Sequence, residues 1–84
     1  MDSSSSEMKI SLNTVEKVKD FVNKTQKMSS DVTIKCGRYV VDGKSILGIF
    51  SLDLLQPMTM IVEPADDEYM QKTFNKFLQR NNDV

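Results

Sequence analysis

The spacing of the hydrophobic residues changes along the chain from the period of a strand to that of a helix. In EMKISL, the apolar residues Met8, Ile10 and Leu12 alternate with polar ones, which is the period of a half-buried strand. In NTVEKVKDFVNKTQKM, the residues that share one helical face are Val15, Val18, Phe21, Val22 and Thr25. A chain that alternates between these periods favours a sheet covered by helices.

The remaining elements follow from the same reasoning. DVTIKCGRYVVDG predicts two strands joined at Gly37, with the return strand starting at Arg38. SILGIFSLDLL predicts a second helix that begins at Ser45, and PMTMIVE predicts a fourth strand started by Pro57. ADDEYMQKTFNKFLQR predicts a third helix that ends at Arg80 and whose apolar face is Met70, Phe74, Phe77 and Leu78.

The predicted order is β-α-β-β-α-β-α. This order indicates an α+β fold of the open-faced β-sandwich type, with a four-stranded, mainly antiparallel sheet and three helices on one face. The 84 residues suffice for one small core. We expect residues 1–6, which read MDSSSS, to form a disordered tail, and residues 7–84 to form the domain.

Polar residues mark the predicted helix starts. Asn13 or Thr14 can cap the first helix, and Glu16 stands three residues after Asn13, as in a capping box. The third helix is expected to start near Asp66. There, three consecutive acidic residues, Asp66, Asp67 and Glu68, would stabilise the positive end of the helix.

The composition argues against several classes of function. The chain has no histidine and one cysteine, Cys36, so we expect no metal site, no cofactor and no enzyme activity. Cys36 is predicted to be a buried, inert thiol. The net charge of −1 gives no reason to expect direct binding to nucleic acid or to a membrane. With no apolar run long enough to span a bilayer and with a polar start, the chain is expected to be cytoplasmic.

The Gly-Lys-Ser at residues 43–45 does not belong to a P-loop. That loop needs a glycine five residues before its Gly-Lys-Ser, so that successive N–H groups curl around the phosphates. The position is occupied by Arg38, and Gly37 lies one residue too early.

The predicted second helix, residues 46–55, is apolar around most of its circumference. If Ile49 and Leu52 face the sheet, then Ile46, Leu47 and Phe50 form an exposed patch that favours a protein partner. The alternative is that neighbouring loops cover these three side chains.

Two stretches resemble a known family. DGKSILGIFSLDL and SSDVTIKCGRYVVDGKS are similar to HPr, the small phosphocarrier of the bacterial sugar phosphotransferase system. The resemblance covers about residues 8–80 and implies the same open-faced sandwich. In the family, a histidine in a His-x-Arg-Pro motif carries the phosphoryl group. An ungapped comparison places Thr14 at the histidine, Glu16 at the arginine and Lys17 at the proline.

The resemblance also points to Ser45. It matches the serine that HPr kinase/phosphorylase modifies in relatives, and Lys44 precedes it as in the family. The residues that match the family's contact surface are Ile46, Leu47 and Phe50, and Lys44 is expected to contact a partner beside them. The resemblance thus implies protein partners such as HPr kinase/phosphorylase or a catabolite-control transcription regulator. The alternative is that Ser45 only caps a helix.

Two hypotheses of different classes remain. One is a histidine-less regulatory relative of HPr, similar to the catabolite-repression paralogue. The other is a binding or self-associating module with the same fold but no role in sugar control. Whether the source genome encodes a histidine-bearing HPr and an HPr kinase would separate them.

Overall fold

The computed structural model describes residues 5–79 and has four strands and three helices. The strands are β1 (Ser6–Ile10), β2 (Asp31–Cys36), β3 (Tyr39–Asp42) and β4 (Met58–Glu63). The helices are α1 (Val15–Thr25), α2 (Ile46–Phe50) and α3 (Asp67–Phe74), and a 3₁₀ turn, Asn75–Phe77, follows α3. The predicted element order and fold class are confirmed.

The sheet has the order β1-β4-β2-β3, and every neighbouring pair is antiparallel. One face of the sheet packs against the helices, because alternate residues of β1, β2 and β4 are buried. Within this core, the ring of Phe21 from α1 lies edge-on to Phe74 at 5.4 Å and to Phe77 at 5.5 Å between centroids. Such edge-to-face contacts hold α1 against α3 and the 3₁₀ turn.

The β2–β3 hairpin turns where the sequence predicts. Gly37 has a φ of 61° and, with Arg38, forms the two-residue loop between paired Cys36 and Tyr39. A positive φ at the first loop position suits glycine and matches the twist of the strands. The return strand begins at Tyr39, one residue later than predicted.

The boundary predicted for the N-terminal tail needs one correction. Ser6, assigned to the tail by its serine-rich context, is buried in β1 opposite Val62. Its hydroxyl accepts a 3.0 Å hydrogen bond from the backbone N–H of Asp66, at the start of α3. The expectation of a tail concerns mainly residues 1–4, which lie outside the described residues.

The third helix ends earlier than predicted, at Phe74. The following residues pair with the edge of β1: the N–H of Ser11 donates to the carbonyl of Phe77 at 2.8 Å, and that of Gln79 to the carbonyl of Lys9 at 3.1 Å. These bonds need an extended chain and therefore compete with further helical turns. The predicted apolar face is still confirmed, because Met70, Phe74 and Phe77 are buried and Leu78 packs on the core. Arg80 lies outside the described residues.

The predictions for the starts of α3 and α1 differ in outcome. Asp66 is the N-cap of α3 but makes no side-chain capping bond, while Asp67 and Glu68 lie in the first turn, where their charge favours the helix. In α1, the cap is Thr14, not Asn13. The capping box predicted between Asn13 and Glu16 is therefore wrong, because Glu16 is one position too early relative to Thr14.

Cys36 is a free, buried cysteine, as predicted. Among residues 5–79, no helix is both long and apolar enough to cross a membrane. The same residues contain no group of three or more side chains that could hold a metal ion.

Candidate functional site

The turn that leads into α2 is held by hydrogen bonds from three directions. The N–H of Gly43 donates to the carbonyl of Val32 at 2.7 Å, which extends the β2–β3 ladder by one pair. The side-chain hydroxyl of Thr25 donates to the carbonyl of Gly43 at 2.8 Å. The carboxylate of Asp42 accepts from the N–H of Lys44 at 2.9 Å. Ser45 is therefore presented by a fixed backbone.

This geometry requires glycine at position 43, because any other residue would add a Cβ atom. A Cβ atom on Gly43 would lie 3.1 Å from both the Cβ and the carbonyl oxygen of Val32, and closer still to a methyl group of that side chain. Only glycine lets β2 and the turn approach this closely.

Ser45 is the N-cap of α2. Its Oγ accepts a 3.1 Å hydrogen bond from the N–H of Gly48, and its own N–H donates to the carbonyl of Asp42 at 3.1 Å. The residue is half-buried. The same oxygen is the atom that a kinase would modify.

Lys44 has a role in the isolated chain that the sequence does not reveal. Its ammonium donates a 2.8 Å hydrogen bond to the carbonyl of Met28, just beyond the end of α1. Its carbonyl accepts from the side-chain amide of Gln26 at 3.1 Å. Lys44 thus ties the turn to α1, and its predicted contact with a partner stays a prediction.

The second helix is half as long as predicted. It ends at Phe50, and the following residues form turns instead of continuing to residue 55. The hydroxyl of Ser51 donates to the carbonyl of Gly48, and the carboxylate of Asp53 accepts from the N–H of Leu55 at 3.1 Å. Such local side-chain bonds compete with helical ones, which explains the early end.

The short helix changes the predicted patch. Ile49 and Leu52 are buried, as expected, and Leu47 is 78% exposed. Ile46 and Phe50 are only half-buried and pack on the core. The surface that α2 offers therefore consists of one exposed leucine between two partly covered apolar side chains. Leu55, outside the predicted patch, is 82% exposed.

Thr14 and Ser45 lie near opposite ends of α1. Thr14 caps the start of the helix, where its hydroxyl accepts from the N–H of Lys17 at 3.1 Å. The turn before Ser45 contacts Thr25 and Gln26 at the other end. The 11 residues of α1 correspond to roughly 16 Å along the axis. Thr14 and Glu16 are exposed, and the described contacts do not join this helix start to Ser45.

Comparison with known proteins identifies the class of this fold and site. A family model described as the PTS HPr component phosphorylation site matches residues 16–79, more than half of the chain. The chain therefore belongs to the HPr family of the phosphotransferase system. The matched segment includes Ser45 and begins two residues after Thr14.

A solved structure has the same fold. The crystal structure of a phosphocarrier protein HPr from Bacillus anthracis str. Ames superposes with a TM-score of 0.67, covering 89% of this chain and 95% of the other. At 22% identity, this similarity establishes the fold only. The search of curated proteins finds no match.

Proposed function

We propose that this chain is an HPr-family protein that does not carry phosphate on histidine and acts through protein contacts controlled at Ser45. The observation that carries the proposal is the complete absence of histidine from the 84 residues. A phosphoryl group on imidazole is high in energy and passes on reversibly, whereas a phosphate ester on a threonine hydroxyl does not. We therefore propose neither carrier nor enzyme activity.

The charges near Thr14 support this proposal. Glu16 replaces the family's arginine in the ungapped comparison, and it is exposed two residues from the helix cap. A carboxylate close to a bound phosphoryl group repels it by about 1 kcal/mol at 4 Å even in bulk water. The Thr14 hydroxyl already serves as the helix cap. We assign Thr14 a structural role.

The geometry of Ser45 supports modification at that residue. A phosphate on its Oγ could accept the N–H of Gly48 that the hydroxyl accepts now. The helix has only five residues, so its dipole adds no more than the lower end of about 0.3–1 kcal/mol. The larger effect is the new charge beside exposed Leu47. We propose that this charge alters affinity for a protein partner without unfolding the domain.

The carrier part of the proposal is tested with enzyme I of the phosphotransferase system and radiolabelled phosphoenolpyruvate. A histidine-bearing HPr is the positive control and should be labelled to completion. This chain should stay unlabelled. Stable stoichiometric labelling of any residue would refute the proposal.

The regulatory part is tested by partner binding. Ser45→Asp places a negative charge at the start of α2, and Ser51→Asp places the same charge at its exposed C-terminal end as the matched control. Binding to purified HPr kinase/phosphorylase and to a catabolite-control transcription regulator is measured for both variants. We expect Ser45→Asp alone to change affinity for one of them. Equal binding by wild type and both variants favours the alternative, a module without a role in sugar control.

A further inference from the structure

The two edges of the sheet are covered to different degrees. The edge of β1 is covered by the chain itself, because the segment after α3 pairs with Lys9 and Ser11. β3 forms the other edge. Among residues 5–79, the backbone bond that reaches β3 from outside β2 is the one from Ser45 to the carbonyl of Asp42. Exposed edges of this kind present free N–H and C=O groups to another strand.

The pairing of β2 with β3 defines which groups of β3 face outward. Bonded pairs alternate along an antiparallel ladder. Cys36 pairs with Tyr39 across the two-residue turn, and the N–H of Gly43 donates to the carbonyl of Val32. Tyr39, Val41 and Gly43 therefore point their backbone groups at β2. The groups of Val40 and the N–H of Asp42 point away from the sheet.

The side chains on this edge protect it only in part. Tyr39 is 64% exposed and Val40 is 60% exposed. Of the features with which natural proteins block an edge, β3, which reads YVVD, has a short length and the charge of Asp42 but no lysine, proline or bulge. Val40 lies on the helix-free face of the sheet opposite Lys35, and Tyr39 lies on the helix face opposite buried Cys36.

The sequence of this edge is complementary to itself. Residues 38–42 read Arg-Tyr-Val-Val-Asp, and an antiparallel copy centred on Val40 places Arg38 opposite Asp42 twice. Val40 then meets Val40 of the second copy, and Tyr39 meets Val41. Opposite charges and apolar side chains that face each other across strands are the pairs that stabilise sheets.

We propose that a second copy of this chain pairs with the β3 edge, antiparallel and centred on Val40, to form an eight-stranded sheet across a two-fold axis. Sliding the copy by one bonded pair toward the C-terminus would place Val40 opposite Asp42 and remove both charge pairs. A further shift would set Asp42 against Asp42. The register centred on Val40 is therefore the one that the charges select. This inference is independent of the role proposed for Ser45.

The expected association is weak. The pairing involves a strand of four residues, so its buried area falls at or below the small end of specific interfaces. Sedimentation equilibrium should therefore show a mass that rises from 9.6 kDa toward twice that value. We expect the rise between about 10 µM and 1 mM protein, the range of weak contacts. A constant mass of 9.6 kDa throughout would overturn the proposal.

Two valines provide the first test of the surface. Val40→Lys sets two ammonium groups against each other at the axis and should abolish the rise in mass. Val15→Lys makes the same change at a valine that is 52% exposed at the start of α1, and it should leave the rise unchanged. Association that survives Val40→Lys, or that Val15→Lys removes equally, places the contact elsewhere and contradicts the proposal.

Charge exchange provides the second test and defines the register. Arg38→Asp and Asp42→Arg should each weaken self-association, because each homodimer then faces two like-charged pairs. Mixing the two variants should restore association to near the wild-type level, because both opposite-charge pairs reappear in the heterodimer. Thermal unfolding verifies that Asp42→Arg, which loses its bond to the N–H of Lys44, is folded. Failure of the folded mixture to associate would contradict the register. If Asp42→Arg does not fold, the Val40→Lys result decides.

Discussion

The hydroxyl of Thr25 donates a 2.8 Å hydrogen bond to the carbonyl of Gly43, eighteen residues further along the chain. Thr25 is fully buried, and the bond joins the last turn of α1 to the turn that presents Ser45. The same hydroxyl lies 3.1 Å from the carbonyl of Val22, within its own helix. The position of the candidate site is thus coupled to the packing of α1.

Replacing Thr25 by valine should loosen this turn. The variant keeps the shape of the side chain but leaves the Gly43 carbonyl without its donor, at a cost of about 1–3 kcal/mol. Amide hydrogen exchange at Lys44 and Ser45 should become faster. Thr25→Ser, which keeps the hydroxyl, is the control and should retain slow exchange there. Equal exchange rates in wild type and Thr25→Val would show that the bond does not hold the turn.

Gly43→Ala should destabilise the domain. The new methyl group would overlap the side chain of Val32, and such overpacking typically costs about 1–3 kcal/mol. Denaturant unfolding measures the loss. Val32→Ala introduced together with Gly43→Ala should cost less than the sum of the two single changes, because it removes the overlapping methyl groups. Strict additivity would mean that the two residues do not collide.

Much of the fold can be predicted from hydrophobic period alone, whereas the site depends on contacts between distant residues. The period places Thr25 on the apolar face of α1, but it does not show that the buried hydroxyl needs a carbonyl partner. A polar residue on an apolar face is the signal that could have pointed to the site. Lys44 likewise looks like a free cation in sequence, and its bond to Met28 depends on how α1 ends.

Both helices end earlier than predicted because other hydrogen bonds compete with the helical ones. Periodicity extends α2 to residue 55, but Ser51 and Asp53 bind nearby backbone groups and end the helix. It also extends α3 to Arg80, but after the 3₁₀ turn the chain becomes extended at Leu78, where it pairs with the edge of β1. The hydrophobic pattern says little about local side-chain bonds or free strand edges. The ends of a helix are therefore harder to predict from it than the presence of the helix.

Mutations in the α2 patch should show that one residue contributes to stability and another to partner binding. Phe50 packs on the core and is half-buried, so Phe50→Ala should lower the melting temperature by roughly 4–16 °C, as expected for a loss of about 1–2 kcal/mol in a small domain. Leu47 is 78% exposed, so Leu47→Ala should change stability by no more than about 0.5 kcal/mol.

Partner binding completes this comparison. If α2 is the docking surface, Leu47→Ala should weaken binding while leaving the melting temperature unchanged. Titration of both variants against the same purified partner gives the result. A loss of stability for Leu47→Ala comparable to that for Phe50→Ala would identify Leu47 as a folding residue.

Asp20 should make a small, pH-dependent contribution to stability. Its carboxylate lies 2.8 Å from the ammonium of Lys24 and 2.5 Å from that of Lys76. The hydrogen bond from Lys24, followed by that from Lys76, holds the pKa of Asp20 below its usual value of 3.8. The stabilisation is therefore fully present above pH 3.8 and is lost as the pH falls through the lower folded-state pKa.

The measurement compares wild type with Asp20→Asn. At pH 7 the variant should be less stable by no more than about 1 kcal/mol per exposed pair, and salt should reduce the difference. The difference should shrink as the pH is lowered below 3.8. A difference that grows in acid would contradict the assigned sign.

Mass mapping after treatment with HPr kinase and ATP tests whether Ser45 is the hydroxyl that is modified. Thr14 and Ser45 both cap helices. Ser45 lies at the end of the hydrogen-bonded turn before α2, whereas Thr14 is two residues from Glu16. We expect one phosphate per chain, on Ser45, with the fold retained and no modification of Ser45→Ala. Modification at Thr14, or none under conditions that fully modify a histidine-bearing HPr, would contradict this expectation.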